Sequence, residues 1–280
     1  MTVGPKVWFI TGISRGFGRA FVDALLGRGD KVIGTTRDGS ADVTPGKGSL
    51  DVLKLDVTDA EAIKKTVAAA VKLHGRIDVV VNNAGYGLLS SVEEATDDQI
   101  DHVFAVNFHG TRRVIQAALP YLRAQRSGHI INITSMAAVA PNPGSGYYSA
   151  AKMAVEGLSQ SLAREVGPLG IRVTLVEPSA FRTDFLSEHS IRRSGATHED
   201  YAETAGATLD RLTAMDGKQA GDPVRAVAAI IQAVDSPSPP LHLVLGSDAY
   251  RRTRRMLEAF SADVEAWKAV SIGADYQQGS

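Results

Sequence analysis

Cysteine is absent from the 280 residues of this chain. Its absence excludes disulfides, cysteine-ligated zinc, iron–sulfur clusters and a thiol nucleophile. An excess of charge is also lacking, because 30 lysine and arginine residues are balanced by 31 aspartate and glutamate residues. The net charge of −1 gives no bulk attraction to nucleic acid or to an anionic membrane, so neither is expected as a partner.

Long hydrophobic runs are missing as well, since none approaches the roughly 18 residues that span a bilayer. The apolar run 7–10 ends at Thr11 and Gly12 with no small-residue cleavage site behind it, so no secretion signal is expected. We therefore expect a cytoplasmic protein. Hydrophobic residues make up 44% and charged residues 22% of the chain, which are ordinary values for a globular protein with a sizeable core.

The basic cluster at 251–255 could contact nucleic acid. Because the chain as a whole is nearly neutral, we expect this cluster to form the solvent-facing side of a helix instead.

Metal ligands are not indicated either. Seven histidines show no ligand spacing and no accompanying pairs of acidic residues, so no metal is predicted; they are His74, His102, His109, His129, His189, His198 and His242.

What the sequence does contain is a regular alternation of two patterns. Short apolar, β-rich runs predict strands at 6–11, 31–36, 52–55, 77–82, 129–134, 172–177 and 241–245. Apolar spacings of three and four predict helices at 17–28, 60–73, 97–125 and 149–166. Asp59 resembles an N-cap, and Gly75 and Gly170 resemble helix terminators. The alternation predicts an α/β fold: one doubly wound Rossmann-type domain over residues 1–280, with a seven-stranded parallel sheet between two helical layers.

Two segments depart from this alternation. Residues 181–221 are polar and contain no predicted strand, so we expect a substrate lid there. Residues 247–280 form a C-terminal extension in which the spacing of Met256, Leu257, Phe260, Val264 and Trp267 predicts an amphipathic helix.

A glycine-rich turn follows the first strand and precedes the first helix. Gly12, Gly16 and Gly18 give the spacing G-x-x-x-G-x-G rather than the G-x-G-x-x-G of the ordinary dinucleotide fingerprint. Such a unit places backbone N–H groups and a helix N-terminus against phosphate, and a Cβ would block the pyrophosphate or the helix–strand contact.

Tyr148 and Lys152 lie four residues apart at the start of a helix, so they project from one face. A free tyrosine, with a pKa of about 10, is a poor acid–base catalyst near neutrality, and a nearby ammonium is expected to lower that pKa. Tyr147 would stand about 100° further round the helix. Ser135 lies at the carboxyl end of a predicted parallel strand, where its hydroxyl can donate to a substrate oxygen.

Further motifs, in order, follow the glycine loop: Asn82-Asn83-Ala84-Gly85, Asn107, Ser135, Tyr148-Ser149-Ala150-Ala151-Lys152, and residues 178–183. With them the chain resembles the short-chain dehydrogenase/reductase family over about residues 6–185. The resemblance implies a catalytic tetrad in which Tyr148 transfers the proton, Ser135 orients the oxygen, Lys152 tunes Tyr148 and binds ribose, and Asn107 completes a proton relay. The cofactor site that it implies consists of Gly12, Ser14, Arg15, Gly16, Phe17, Gly18, Thr36, Arg37, Asp56, Val57, Asn83, Ala84, Gly85, Tyr148, Lys152, Pro178 and Thr183.

Cofactor choice is expected at the end of the second strand, where the family's NAD-users carry an acidic residue. Thr36 and Arg37 stand there instead, and a guanidinium can hold a 2′-phosphate that a carboxylate would repel. By resemblance Arg15 is a second cation aimed at the same place. NADP is therefore predicted, although Asp38 could neutralise Arg37, which leaves NAD possible.

The expected function is hydride transfer between NADP(H) and a carbonyl or secondary alcohol. Residues 177–185, the polar insert and the C-terminal helix are similar to reductases related to the hydroxysteroid and retinol dehydrogenases. A 3-oxoacyl-thioester reductase of the same family is an alternative, and a non-catalytic NADP-binding redox regulator is another. The family implies a homo-oligomer, dimer or tetramer, formed through the helices at 97–125 and 149–166.

Overall fold

Parallel strands dominate the computed structural model, which describes residues 4–43, 46–187, 190–195 and 198–276. The strands of these residues are β1 Val7–Thr11, β2 Lys31–Thr36, β3 Ser49–Lys54, β4 Val79–Asn82, β5 Gly87–Leu89, β6 Gly128–Ile133, β7 Ile171–Pro178, β8 Ile191–Arg193 and β9 His242–Leu245. Seven of them form one sheet in the order β3-β2-β1-β4-β6-β7-β9, and every pairing in it is parallel. His189 and the last four residues of the predicted C-terminal extension lie outside the described residues.

Helices connect the strands. They are α1 Gly16–Arg28, α2 Ala60–His74, α3 Asp97–Phe104, α4 Thr111–Gln125, α5 Gly146–Val166, α6 Ala207–Met215, α7 Pro223–Asp235, α8 Ser247–Ala266 and α9 Lys268–Gly273. The Oδ1 atom of Asp59 caps α2 by accepting hydrogen bonds from the backbone N of Glu61 at 3.0 Å and of Ala62 at 2.9 Å. The left-handed Gly75, with φ of 75°, ends the same helix, so both predicted boundary residues of α2 are confirmed.

Side chains alternate across the sheet and build a core on each of its faces. In β1, Trp8 and Ile10 pack with α1 and α7, whereas Val7 and Phe9 pack with α2, α4 and α5. Trp8, Phe9 and Ile10 are completely buried. Apolar residues are needed at every position of a strand that is covered on both sides. The predicted three-layer α/β fold with a seven-stranded parallel sheet is confirmed.

The predicted continuous helix at 97–125 is wrong in one detail. A π-helical turn at Ala105–Gly110 separates α3 from α4. At its centre, Asn107 Nδ2 donates to the backbone O of Tyr86 at 2.8 Å, and Asn107 Oδ1 accepts from the backbone N of Tyr86 at 3.1 Å. Single π-turns inside helices frequently occur at functional sites. Periodicity could not reveal this turn, because the residues on either side keep ordinary helical spacing.

The expectation that residues 181–221 contain no strand is also wrong. The strand β8 lies within this segment and pairs in parallel with β5, with Gly87 opposite Ile191. A bridge between Phe181 and Gly221 joins the two ends of the segment. A three-residue strand has too little sequence to show a period, and its partner lies about a hundred residues earlier, so only the tertiary fold reveals it.

The C-terminal extension begins with α8, nine residues before the predicted apolar pattern, and continues into α9. Every residue from Leu257 to Tyr276 is exposed. Among the described residues, no helix is both long and apolar enough to cross a membrane.

Candidate active site

A cavity of about 360 Å³ opens at the carboxyl ends of β1, β4, β6 and β7. The chain reverses its direction of winding between β1 and β4, which is where open α/β sheets bind ligands. All predicted cofactor-binding residues except Gly18 line the cavity: Gly12, Ser14, Arg15, Gly16, Phe17, Thr36, Arg37, Asp56, Val57, Asn83, Ala84, Gly85, Tyr148, Lys152, Pro178 and Thr183. Of the predicted tetrad, Ser135, Tyr148 and Lys152 line it, whereas Asn107 lies behind its wall.

Gly18 has a packing role instead of a lining role. A Cβ at this position would lie 2.1 Å from the backbone O of Gly12 and 2.8 Å from Asn83 Nδ2. Only glycine therefore lets α1 begin this close to the end of β1. The short approach keeps the N-terminus of α1 directed into the cavity, where its N–H groups suit a pyrophosphate.

Two loops meet at this point and are joined by hydrogen bonds. The hydroxyl of Thr11 accepts from the backbone N of Asn83 at 3.0 Å and of Ala84 at 3.1 Å. Asn83 Nδ2 donates in return to the backbone O of Thr11 at 3.0 Å and of Gly12 at 2.8 Å. The glycine loop after β1 and the Asn-Ala-Gly turn after β4 thus form a single rigid edge.

The residues beyond β2 and β3 bear on cofactor choice. Asp38 accepts from the hydroxyl of Thr36 at 2.9 Å and from the backbone N of Ser40 at 3.1 Å, and these bonds hold the pKa of its carboxyl below the ordinary value. Within the described chain Asp38 forms no ion pair with Arg37. The pKa of Asp56 is lowered chiefly by a hydrogen bond from the backbone of Thr58, with the charge of Arg37 contributing, and both residues line the cavity.

Tyr148 and Lys152 project from the first turns of α5 into the other end of the cavity, and both are buried. Lys152 Nζ lies 6.0 Å from the centre of the Tyr148 ring and donates to the backbone O of Ile133 at 2.8 Å. The Ser135 hydroxyl accepts from the backbone N of Ala137 at 3.0 Å, and its interaction with Tyr148 acts to lower the pKa of the tyrosine. Tyr147, by contrast, donates to the backbone O of Val92, away from this cluster.

Asn107 approaches the cluster from behind Gly85. A Cβ on Gly85 would lie 2.6 Å from Asn107 Oδ1 and 3.4 Å from Lys152 Nζ. Glycine at this position therefore lets the asparagine amide and the lysine ammonium come close to the same space. Asn107 is completely buried, and its amide is fixed by its two hydrogen bonds to Tyr86.

Comparison with known proteins decides the family. The family model for short chain dehydrogenases matches residues 6–193. This chain belongs to the short-chain dehydrogenase family. A curated oxidoreductase of Botryotinia fuckeliana is 36% identical over 96% of this chain and 99% of its own, and a 3-ketodihydrosphingosine reductase of Bacteroides thetaiotaomicron is 36% identical over 86% and 88%. The predicted family is thereby confirmed, and the protein is an oxidoreductase.

Solved structures share the fold. A short-chain dehydrogenase from Streptomyces avermitilis is 38% identical, with a TM-score of 0.89 over 98% of this chain and all of the other. A metagenomic short-chain oxidoreductase solved with NADP is 25% identical, with a TM-score of 0.66 over 86% of this chain and 96% of the other. In this short-chain dehydrogenase, the close approach of Gly18 to Gly12 and the cavity at the carboxyl ends of the strands fit a nicotinamide dinucleotide.

Burial shifts the pKa values of Tyr148 and Lys152 in opposite directions. It raises the pKa of Tyr148 to about 12, against the smaller effect of the hydrogen bond with Ser135. It lowers the pKa of Lys152 to about 8, against the charge of Glu156, which raises it. The charge of Lys152 is not among the causes of the Tyr148 shift, so the expectation that the lysine lowers this pKa stays a prediction.

Substrate-side residues that the motifs do not contain also line the cavity. Tyr86 donates to or accepts from His102 Nδ1 at 2.8 Å, and the guanidinium of Arg192 lies over the Tyr86 ring at 5.0 Å from its centre. Phe185 lies 6.0 Å from the Tyr148 ring, centre to centre. Arg192 and Phe185 belong to the 181–221 segment, and only their place in a segment of unusual composition distinguishes them in the sequence.

A buried acidic pair lies behind Lys152. Glu156 follows Lys152 by one turn of α5, and Glu177 lies in β7, one residue before its end. His242 Nδ1 lies 2.6 Å from Glu177 Oε1 and 3.7 Å from Glu156 Oε2, so the statement that no acidic pair accompanies the histidines is wrong. Burial raises the pKa of Glu156 to about 7, and Glu177 adds to the shift. One helix and two strands supply these residues, which is why no sequence spacing reveals them.

Proposed function

We propose that this short-chain dehydrogenase transfers a hydride between NADP(H) and a carbonyl or secondary alcohol, with Tyr148 as general acid or base. The observation that carries the proposal is the buried contact of Tyr148 with Ser135 and its approach to Lys152, in the cavity that the glycine loop also lines. When bound, NADPH would supply the hydride for the carbonyl carbon. The chain must then supply a proton to the carbonyl oxygen and hold that oxygen in place.

Each residue of the cluster has a role that follows from its position. Ser135 and Tyr148 both line the cavity and lie close enough to interact, so one substrate oxygen placed between them could accept from both hydroxyls. Lys152 keeps a positive charge beside Tyr148, which favours the phenolate that remains after proton transfer. Asn107 fixes the backbone of Tyr86 through two hydrogen bonds. Its amide lies behind Gly85, close to the ammonium of Lys152.

Arg37 and Arg15 support NADP over NAD. Both line the cavity at the end formed by the residues after β1 and β2, and the charge of Arg37 also helps to lower the pKa of Asp56. Asp38, the residue that could have neutralised Arg37, is bonded to Thr36 and Ser40 instead. A 2′-phosphate placed here would find a guanidinium suited to bidentate contact. We expect Arg37→Ala to raise the Kd for NADPH at least tenfold and to leave that for NADH nearly unchanged.

The substrate lies under the 181–221 segment in this proposal. Thr183, Phe185 and Leu186 of that segment line the cavity, and Phe185 packs towards Tyr148. The 3-ketodihydrosphingosine reductase relative acts on a ketone, which supports reduction as the physiological direction. A panel of simple ketones, long-chain amino ketones and 3-oxoacyl thioesters with NADPH separates a general ketone reductase from the thioester-specific alternative.

The test of the chemistry compares two neighbouring tyrosines. Tyr148→Phe should lower kcat by a hundredfold or more and leave NADPH binding intact, because general acid catalysis contributes roughly 10²–10⁴-fold. Tyr147→Phe is the matched control and should keep near wild-type turnover. Full turnover by Tyr148→Phe would disprove the mechanism. Tight NADPH binding by the wild type, without turnover on any ketone of the panel, would instead favour the non-catalytic redox regulator.

Assembly and extent also remain proposals. We propose that residues 1–280 act as one NADP-binding domain, with a small-molecule substrate and no nucleic-acid partner, as a cytoplasmic homo-oligomer. The wide apolar faces of α4 and α5 cover the sheet, and Met153 is a large apolar residue of α5 that stays partly exposed and available for a second subunit.

A further inference from the structure

The C-terminal helix leaves the body of the protein part-way along its length. In the first turns of α8, Ala249 is buried, and Arg252 donates to the backbone O of Ala140 and to Asn142 Oδ1, the latter at 2.9 Å. From Leu257 to Tyr276 every residue is exposed. The stretch 257–267 at the end of α8 is therefore a helical projection of about 16 Å, at 1.5 Å per residue, and α9 follows it.

The projection carries an apolar stripe that nothing in the described chain covers. Leu257, Phe260, Val264 and Trp267 are spaced by three, four and three residues, which is the heptad spacing of paired helices. Phe260 and Trp267 are each 65% exposed. The stripe continues the side of α8 on which the buried Ala249 lies, but it begins where the body ends. Single exposed apolar residues are common, whereas an aligned row of them marks an interaction surface.

The charges of α8 indicate what covers the stripe. Residues 251–255 contain four arginines and no acidic residue, whereas residues 258–265 contain Glu258, Asp263 and Glu265 and no basic residue. Two parallel copies of this helix would place like charges side by side. Two antiparallel copies would place each basic segment beside the acidic segment of the other. Pairs within the helix, such as Arg251 with Asp248 at 3.0 Å, are exposed and compete only weakly.

We propose that α8 pairs in antiparallel fashion with α8 of a second copy of this chain. A self-complementary surface of this kind closes a two-fold dimer, because the same patch serves both partners. With Leu257 of one chain opposite Phe260 of the other, segment 251–255 faces segment 262–266 of the partner. The apolar stripes then meet along the middle of the contact.

The area available suits a specific contact. An aromatic side chain buries about 150–250 Å², so the exposed parts of Phe260 and Trp267 from two chains would contribute on the order of 500 Å². That is about half of the roughly 1,000 Å² that a specific interface needs. The aliphatic residues of the stripe supply more, since Leu257 and Val264 are each more than half exposed.

The first experiment measures the mass of the full chain in solution by light scattering after gel filtration. The variant Phe260→Glu/Trp267→Glu places charges in the stripe, and Ala262→Glu places one on the opposite side of the same helix. We expect the double variant to have half the wild-type mass, and Ala262→Glu to keep the wild-type mass. The expected halving does not depend on whether α4 and α5 form a second contact. Without that contact a dimer would become a monomer, and with it a tetramer would become a dimer. Thermal unfolding at the wild-type temperature would show that the body is intact.

The second experiment uses the absence of cysteine, which makes an engineered thiol unique. In the antiparallel pair two copies of residue 257 lie about 4–5 Å apart along the axis, and two copies of residue 250 about 25 Å. A short bismaleimide should therefore cross-link Leu257→Cys and not Tyr250→Cys. A monomeric wild type, an unchanged mass of the double variant, or cross-linking at residue 250 would each overturn the proposal.

Discussion

Gly18 provides the sharpest test of the glycine loop, because α1 contains its own control. An alanine at Gly18 would place Cβ 2.1 Å from the backbone O of Gly12, which is about 1 Å inside the closest contacts that Cβ atoms make. The obstacle is backbone, so no side-chain rotation relieves it. Gly27 lies on the same helix, and a Cβ there meets nothing within 4 Å.

The two substitutions should have opposite effects on stability. Overpacking of this kind costs about 1–3 kcal/mol, whereas alanine in place of glycine gains up to about 1 kcal/mol in an exposed helix. We expect Gly18→Ala to lower the free energy of unfolding by about 1–2 kcal/mol and Gly27→Ala to raise it by a few tenths to 1 kcal/mol. Because the contact sets the position of the α1 N-terminus, Gly18→Ala should also weaken NADPH binding, and Gly27→Ala should not.

Urea unfolding followed by circular dichroism gives the first comparison, and NADPH titration by fluorescence gives the second. For a chain of this size, 1 kcal/mol corresponds to about 2–4 °C in Tm, so thermal unfolding provides a check. If Gly18→Ala were as stable as Gly27→Ala and bound NADPH like the wild type, then the close approach of helix and strand would not be what this position requires.

Three further predictions concern single side chains. Asp59→Ala removes both N-cap hydrogen bonds of α2 and should cost about 1 kcal/mol in the free energy of unfolding, measured in urea. Burial lowers the pKa of His129 from 6.5 to about 4. Between these two pH values the imidazole therefore binds a proton in the unfolded chain but not in the folded protein. Stability should fall by about 3 kcal/mol between pH 6.5 and 4 from this residue, a loss that His129→Gln should not show in the same assay. Glu156→Gln removes the charge that raises the pKa of Lys152, so the alkaline limb of kcat/KM for reduction should move to lower pH. The exposed Glu165→Gln on the same helix should leave that limb in place.

Local patterns were sufficient for the scaffold. The strands of the central sheet are covered on both faces, so their sequences are continuously apolar, and β1 could be placed to within a residue. Asp59 and Gly75 mark their helix boundaries because capping involves residues only two to four positions apart. The same is true of Tyr148 and Lys152, whose common face follows from helical geometry alone.

Features that depend on distant parts of the chain could not be predicted. The π-turn at 105–110 depends on the backbone of Tyr86, and β8 exists only through its pairing with β5. The contact of Glu156 with His242 joins residues more than eighty positions apart. The sequence shows that each residue is present but not that the fold brings them together. Motifs therefore predict the residues that line one end of the cavity, while Tyr86, His102 and Arg192 at the other end are brought together only by the tertiary structure.

The pH dependence expected for the proposed reaction follows from the opposite effects of burial on Tyr148 and Lys152. With its pKa raised to about 12, Tyr148 stays protonated at neutral pH and can donate to a carbonyl oxygen. With its pKa lowered to about 8, Lys152 keeps its charge only below that pH. Reduction needs Tyr148 to be protonated and Lys152 to be charged at the same time. Its kcat/KM should therefore be constant up to about pH 8 and fall above that pH.

Oxidation of an alcohol needs the phenolate of Tyr148, so its rate should rise with pH over the range in which reduction declines. Measurement of both directions with NADPH and NADP from pH 6 to 10 would test this opposition. The Tyr147→Phe variant should give the same two profiles as the wild type. Parallel profiles in the two directions, or a reduction rate that rises above pH 8, would show that these two groups do not control proton transfer.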